Sequence, residues 1–399
     1  MSSSQLDKRA LDSTQLRVVL ILWFAYALYY VGRVNLSPAL TSLSESLHVT
    51  RAEVGVLGTA MFWAYAIGQI INGELGNHVS PRKLIAFGFA TIALVNLLFS
   101  LQTSLLPMVL LWAVNGFAQS TGWGPMLRIL SEHLTPTQRT RLSVPFSLNY
   151  QFGTAFTWFL ATLLVLWGGW RAAMFVPGCI LLVALALWWW RGVDAPQTNV
   201  PRPPFHWSDL WKDLTAAWRI MLVTAVVGIV YTSVNLWLPT YFADTQLFDS
   251  GFISIISSIM PLIGAAGMII ASILMRRSSS PLPVLRLFLL GIMTAAGLAA
   301  LASGYLQVLF VSFVMFVMGS VSSILTTSMP LMLASSGRAS STAGTINAIH
   351  YFGGGLAGVL VGGLVESRVW SSVFALWALC ALVALLLMWG VGTRETTRT

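Results

Sequence analysis

The chain has 399 residues, 56% of them hydrophobic and only 9% charged, with 22 Lys and Arg against 13 Asp and Glu and a mean hydropathy of +0.78. A soluble domain does not carry that much apolar surface, so the composition is that of a polytopic membrane protein. Two cysteines without a CxxC pair, and no Walker-type phosphate loop, HExxH or GxSxG, leave no disulfide, metal site, cofactor or enzyme chemistry to expect.

Apolar stretches of about 20 residues, enough to cross a hydrocarbon core of about 30 Å as a helix, are expected at 16–41, 54–73, 84–102, 105–130, 142–166, 170–190, 217–241, 251–275, 282–303, 306–334, 340–364 and 369–391. Hydrocarbon offers no water to backbone groups, so these should be helices, giving an all-α membrane protein of twelve spans. The first sixteen residues are polar and the stretch that follows is too long for the apolar core of a leader, so no cleavable signal peptide is expected.

The first span holds an arginine, in "YALYYVGRVNLSPAL" (26–40). At about 1.5 Å of rise per residue, Arg33 lies about 24 Å from Arg17 and about 18 Å from Glu45, too deep to snorkel out. Insertion scales charge about 2.5–3.5 kcal/mol for arginine at a helix centre, and such residues face a protein interior or an aqueous cavity. Tyr26, Tyr29 and Tyr30 precede it by seven, four and three residues and Ser37 follows by four, so a continuous helix would put all of them on one face. Phenols around a fixed guanidinium suit a phosphate or carboxylate. A packing arginine satisfied by carbonyls and a hydroxyl is the alternative.

The second span contributes Gln69 and ends in "GELGNHVSPRK" (73–83), which includes Arg82. The fourth, "NGFAQSTGWGPMLRIL" (115–130), brings Trp123 and Arg128; the two arginines are read as gating residues or end anchors. The fifth carries Asn149, Tyr150 and Gln151, the seventh Tyr231, and the eleventh Asn347, His350 and Tyr351. Cys179 and Cys380 sit within apolar spans as small core residues. Between the sixth and seventh spans runs the longest polar break, with Pro201, Pro203 and Pro204 favouring an extended linker. It separates an N-terminal six-helix bundle, 1–190, from a C-terminal one, 217–399, by a linker at 191–216.

A shift of 200 residues aligns "VNL" at 34–36 with "VNL" at 234–236, Pro81 with Pro281, and "YQFG" at 150–153 with "HYFG" at 350–353. Parallel six-helix repeats describe the major facilitator arrangement, with its site near the midplane between the halves. The basic residues agree with such a topology. Lys8, Arg9, Arg17, Arg82, Lys83, Arg128, Arg139, Arg141, the loop from Arg191 to Arg219, Arg276, Arg277, Arg286, Arg338, Arg394 and Arg398 fall on one side; Arg51, Arg171 and Arg368, with Glu45, Glu53, Asp244, Asp249 and Glu366, fall on the other. The positive-inside rule then places both termini in the cytoplasm, and the net charge of +9 is topological, not a nucleic-acid surface.

The motif at 73–83 resembles the loop motif of the major facilitator superfamily, with Asn77 and His78 where Asp and Arg are more usual. "YYVGRVNLSPAL", the 115–130 stretch, "GWRAAMFVPG" (169–178), "RGVDAPQ" (191–197) and "LWLPTYF" (236–242) resemble the organophosphate:phosphate antiporter family. A related signature around the first-helix arginine also occurs in anion:cation symporters of carboxylated sugars. The resemblance puts Arg33 on the family's substrate arginine of the first helix and Arg128 on its fourth-helix arginine. It also marks departures: Tyr231 stands where the family has a second arginine, Gln69 where it often has a lysine, and Tyr150 where it has a histidine. A monoanion, a phosphodiester or a molecule with one acidic group then fits better than a doubly charged phosphate.

The expected function is secondary active transport of a small organic anion, organophosphate or carboxylate, by alternating access and anion exchange. Arg33, Tyr26, Tyr29, Tyr30, Gln69, Trp123, Tyr150, Tyr231 and His350 are the expected substrate-binding residues. The expected partners are the anion, inorganic phosphate or a proton as coupling ion, and the lipid bilayer of a bacterial cytoplasmic membrane around a monomer. Multidrug or metabolite efflux, suggested by the seventeen Trp, and a transporter-like sugar-phosphate sensor are the alternatives.

Overall fold

A computed structural model of the chain describes residues 11–195, 218–278, 280–328, 339–366 and 369–389. Most of the expected linker lies outside these residues. The described chain is helical throughout. Helices α1 (Ser13–Val31) and α2 (Leu36–Leu47) are followed by α3 (Arg51–His78), α4 (Pro81–Ser100), α5 (Leu105–His133) and α6 (Pro136–Arg191). After the linker come α7 (Trp218–Thr245), α8 (Ser250–Arg277), α9 (Pro281–Leu301), α10 (Gly304–Ser323) with a π turn at Ile324–Ser328, α11 (Ala339–Val365) and α12 (Trp370–Trp389).

Helix starts are written into the sequence as caps. Asp12, Thr50 and Thr135 each accept a bond from the backbone three residues on, and Gln15, Glu53 and Gln138 return it in a reciprocal capping box. Ser80 and Ser280 cap α4 and α9, each followed by a proline at the first helical position. Those two starts are 200 residues apart, and so, within a residue, are the starts of α3 and α8 and of α5 and α10. The sequence duplication is thus visible as a duplication of elements.

Among the described residues ten helical stretches are long and apolar enough to cross a membrane, with α1 and α2 forming one of them and most of α6 another. Helix α6 is two limbs, because Gly168 and Gly169 leave helical geometry and Gly169 takes φ +68°, a left-handed conformation that favours glycine. Counting those limbs as two passages and α5 as another is consistent with twelve crossings. Outward faces carry apolar side chains such as Phe24, Leu94, Leu110, Leu187 and Leu386, as lipid-facing surfaces do.

The two halves meet along α3 with α11 and along α6 with α8, while α2 touches α7. Helix α3 runs antiparallel to α11 and is zipped to it over its first half. Gly55 and Gly358 approach so closely that a methyl group on either would run into the carbonyl oxygen of the other. Thr59 Oγ1 then donates to the Gly355 carbonyl at 2.6 Å, and Trp63 Nε1 to that of Phe352 at 2.9 Å. Beyond these residues, Gln69 on α3 and Asn347 on α11 line opposite walls of a cavity.

The structure corrects one sequence expectation here. The stretch 16–41 is not one continuous helix; it breaks at 32–35, between α1 and α2.

Candidate functional site

The break is a built feature. Gly32, a poor helix former, ends α1, and the freed polar groups find side chains. Asn115 Nδ2 donates to the Gly32 carbonyl at 2.8 Å and Asn96 Nδ2 to the same oxygen at 3.3 Å, while Asn35 Nδ2 donates to Asn96 Oδ1 at 2.8 Å and to the Ala173 carbonyl at 2.9 Å. Three buried asparagines therefore do what water cannot do at this depth. Discontinuous helices of this kind form ion and substrate sites in transporters.

Arg33 lies in the break, 6% exposed. Its guanidinium carbon is 4.3 Å from the ring centre of Tyr65, 5.0 Å from Tyr351, 5.2 Å from Tyr30 and 6.0 Å from Phe62. These are cation–π distances, and the rings come from both halves. Among the described residues no carboxylate pairs with it. Among the described residues the charge is thus solvated by aromatic faces and has no counter-ion.

Next to this cage is a cavity of about 660 Å³ between the halves. Tyr26, Tyr30, Tyr65 and Gln69 line it from the N-terminal half with Trp123 and Tyr150, and Tyr231, Asn347 and Tyr351 line it from the other. It extends to Arg128, Glu132 and Arg139, at the end of α5 and the start of α6, which is the basic end of the molecule. Gln69 is 5% exposed and its Nε2 has no hydrogen-bond partner.

The expected site residues fall into three groups. Tyr26, Tyr30, Gln69, Trp123, Tyr150 and Tyr231 line the cavity. Arg33 and His350 do not; Arg33 sits behind the phenols, and His350 is buried beside Tyr231, with Nε2 3.5 Å from Ser322 Oγ. Tyr29 faces away altogether. Its hydroxyl donates to the Ile85 carbonyl at 2.8 Å and its ring packs on Phe89, which makes it a fastener between α1 and α4. Ser37 also leaves the face of Arg33, because α2 begins beyond the break, and its hydroxyl donates to the Leu236 carbonyl at 2.5 Å.

Of the two gating candidates, Arg128 lines the cavity mouth. It bonds Glu132 Oε1 at 3.1 Å and the carbonyls of Gly76 and Val79 at 2.6 and 3.1 Å, all within the N-terminal half. Arg82 is off the cavity; it donates to the Trp189 carbonyl at 2.6 Å and anchors α4 to α6. The side chains of Asn77 and His78 lie outside the described ones.

Sequence reading missed Tyr65 and Phe62, although Phe62, Tyr65 and Gln69 recur at helical spacing on α3. It also missed the seal at the end opposite the cavity mouth. There Arg51 forms an ion pair with Asp244, its Nη2 2.7 Å from Oδ1, with both side chains under 10% exposed. Trp370 Nε1 donates to the same carboxylate at 3.0 Å, and Glu366 Oε2 accepts from the Arg51 backbone at 2.7 Å. Four residues placed in separate loops or helix ends by the sequence thus join the halves.

The family model described as Major Facilitator Superfamily matches residues 22–360. A "Probable hexose phosphate transport protein" of Chlamydia muridarum is 24% identical over 302 residues, 68% of this chain and 66% of its own length. A "Membrane sensor protein UhpC" of Salmonella typhimurium is 24% identical over 291 residues, 66% of each chain. The chain therefore aligns with just under two thirds of either relative's length. Among solved structures, that of the nucleoside transporter NupG superposes with a TM-score of 0.73, over 96% of this chain and all of the other, at 15% identity; it shares the fold. With two helical halves, a broken first span and a cavity between the halves, the chain belongs to the Major Facilitator Superfamily, and the two relatives just described fall within its organophosphate:phosphate antiporter group.

Proposed function

We propose that the protein is a secondary transporter that moves a small organic anion, an organophosphate or a carboxylate, by alternating access and exchanges it for another anion. The observation that carries this reading is Arg33, a buried guanidinium with no carboxylate partner among the described residues, held by three phenols that line the cavity between the halves. An anion bound there neutralises the charge and lowers the cost of carrying a guanidinium through the closed state, so the empty carrier reorients less readily. The hexose phosphate relative supports a phosphorylated or similarly acidic cargo.

With the basic end in the cytoplasm, both termini are cytoplasmic and the cavity is open inward in a bacterial cytoplasmic membrane. The bundles at 1–190 and 217–399 then rock about the site on the linker at 191–216, as a monomer. Inorganic phosphate is the counter-anion that suits Arg33. Among the described lining residues Glu132 alone is a carboxylate, and it is bonded to Arg128 at the mouth, which favours anion exchange over proton symport.

Counterflow in proteoliposomes tests this. Vesicles loaded with phosphate or with an organophosphate should take up the labelled organic anion faster than empty ones, and Arg33→Gln should abolish the difference. Uphill uptake driven by a proton gradient alone, without internal anion, would overturn it. The sensor among the relatives supports a second reading, in which the same site binds a sugar phosphate and reports it. In that case ligand raises thermal stability while counterflow is absent.

A further inference from the structure

The charges of the cavity are distributed unequally. Arg33, behind the phenols Tyr30, Tyr65 and Tyr351 that line it, and Arg128, Glu132 and Arg139 towards its mouth all belong to the N-terminal half. The wall given by the C-terminal half carries no charge among the described lining residues; Tyr231, Ser322, Thr326, Asn347 and Tyr351 are typical of it. The repeat makes this asymmetry concrete, since the position 200 residues after Arg33 is Ser233, fully buried and already accepting a bond from Trp377 Nε1 at 2.8 Å. Aromatic pairs flank the space: Tyr26 against Trp123, with ring centres 4.9 Å apart, and Tyr30 against Tyr150 at 5.9 Å.

Resting on the anion-carrier reading above, we infer that the cargo is a singly charged anion, a carboxylate or a phosphodiester, joined to an aromatic ring, with its acid towards Arg33 and Gln69 and its ring among Tyr26, Trp123, Tyr30 and Tyr150, facing the uncharged C-terminal wall. One guanidinium compensates one negative charge. A second charge would face phenols and hydroxyls of the opposite wall in a medium that screens poorly, and an uncompensated buried charge is strongly disfavoured. The unpartnered Nε2 of Gln69 supplies a donor to the acid without adding charge. A polyhydroxylated body would need a partner for each hydroxyl it buries, whereas a flat ring gains from offset or edge contacts with the tyrosines and Trp123.

The test compares probes matched in shape: phenyl phosphate, a dianion at pH 8, against methyl phenyl phosphate and phenylacetate, both monoanions, and against the methyl phosphodiester of glycerol. Binding is read by thermal shift of the purified full chain and by inhibition of counterflow. Both aromatic monoanions should bind about tenfold or more tightly than phenyl phosphate, and more tightly than the glycerol diester. Tyr231→Arg, or Asn347→Lys if the first variant does not fold, supplies a cation to the C-terminal wall and should reverse the order in favour of phenyl phosphate. Tighter binding of phenyl phosphate by the unmodified protein overturns the single-charge inference while leaving the carrier reading intact. Equal binding of the glycerol and phenyl diesters overturns the ring assignment. Absence of any anion effect on stability or exchange removes the carrier reading and this inference together.

Discussion

Tyr29 and Tyr30 are sequence neighbours with different tasks, and their variants should separate. Tyr29→Phe removes a buried hydroxyl that donates to the Ile85 carbonyl, a loss of about 0.5–1.5 kcal/mol of stability. Thermal denaturation should detect it, while the half-saturating anion concentration in counterflow stays unchanged. Tyr30→Leu removes one of the rings around Arg33, a cation–π contact of about 0.5–2 kcal/mol. It should change the apparent anion affinity several-fold in the same assay. If the Tyr29 variant alters affinity and the Tyr30 variant does not, the assignment of the lining is reversed. The identity of these residues was legible from sequence, but their division of labour was not, because a helical-face argument assumes that the helix continues through Gly32.

Helices α3 and α11 act as a zipper for half their length and as cavity walls for the rest. The closed half depends on the backbone approach at Gly55 and Gly358, which leaves no room for a side chain on either. Gly358→Val should therefore wedge the sealed end apart. A cysteine replacing Ser37, which is buried between α2 and α7 at that end, should become reactive to a membrane-impermeant maleimide added on the side opposite the basic end, in a background lacking Cys179 and Cys380. Unchanged protection of that cysteine would show that the glycine contact does not govern the seal. Glycine at 55 and 358 could be read in the sequence. Their pairing could not, since they lie 303 residues apart and meet only once both bundles have formed.

For the molecule as a whole, the Arg51–Asp244 pair links the halves through groups nearly removed from solvent. Taking away one partner of a buried pair costs about 3–5 kcal/mol because the other charge is left uncompensated. Asp244→Asn should accordingly shift the population away from the state described here, seen as increased labelling at the Ser37→Cys position. Exchanging the two side chains, Arg51→Asp with Asp244→Arg, should restore protection in part. If single and double variants behave alike, the pair is a local packing contact and does not latch the halves.

The sequence by itself determined the class, the starts of the helices within a few residues, the duplicated register and the burial of Arg33 within the first span. Each of these follows from local quantities: apolar length against bilayer thickness, capping residues, a repeated register and distance along a helix. Only the tertiary structure decided that Arg33 stands behind a screen of phenols, that Tyr65 and Tyr351 come to it from opposite halves, and that Arg51, Asp244, Glu366 and Trp370 converge into a seal. Those outcomes depend on how two bundles of similar helices dock and on where the first span breaks. That break is stabilised by Asn35 within it and by asparagines from α4 and α5, whose hydrogen bonds form only after the chain has brought together residues far apart in sequence.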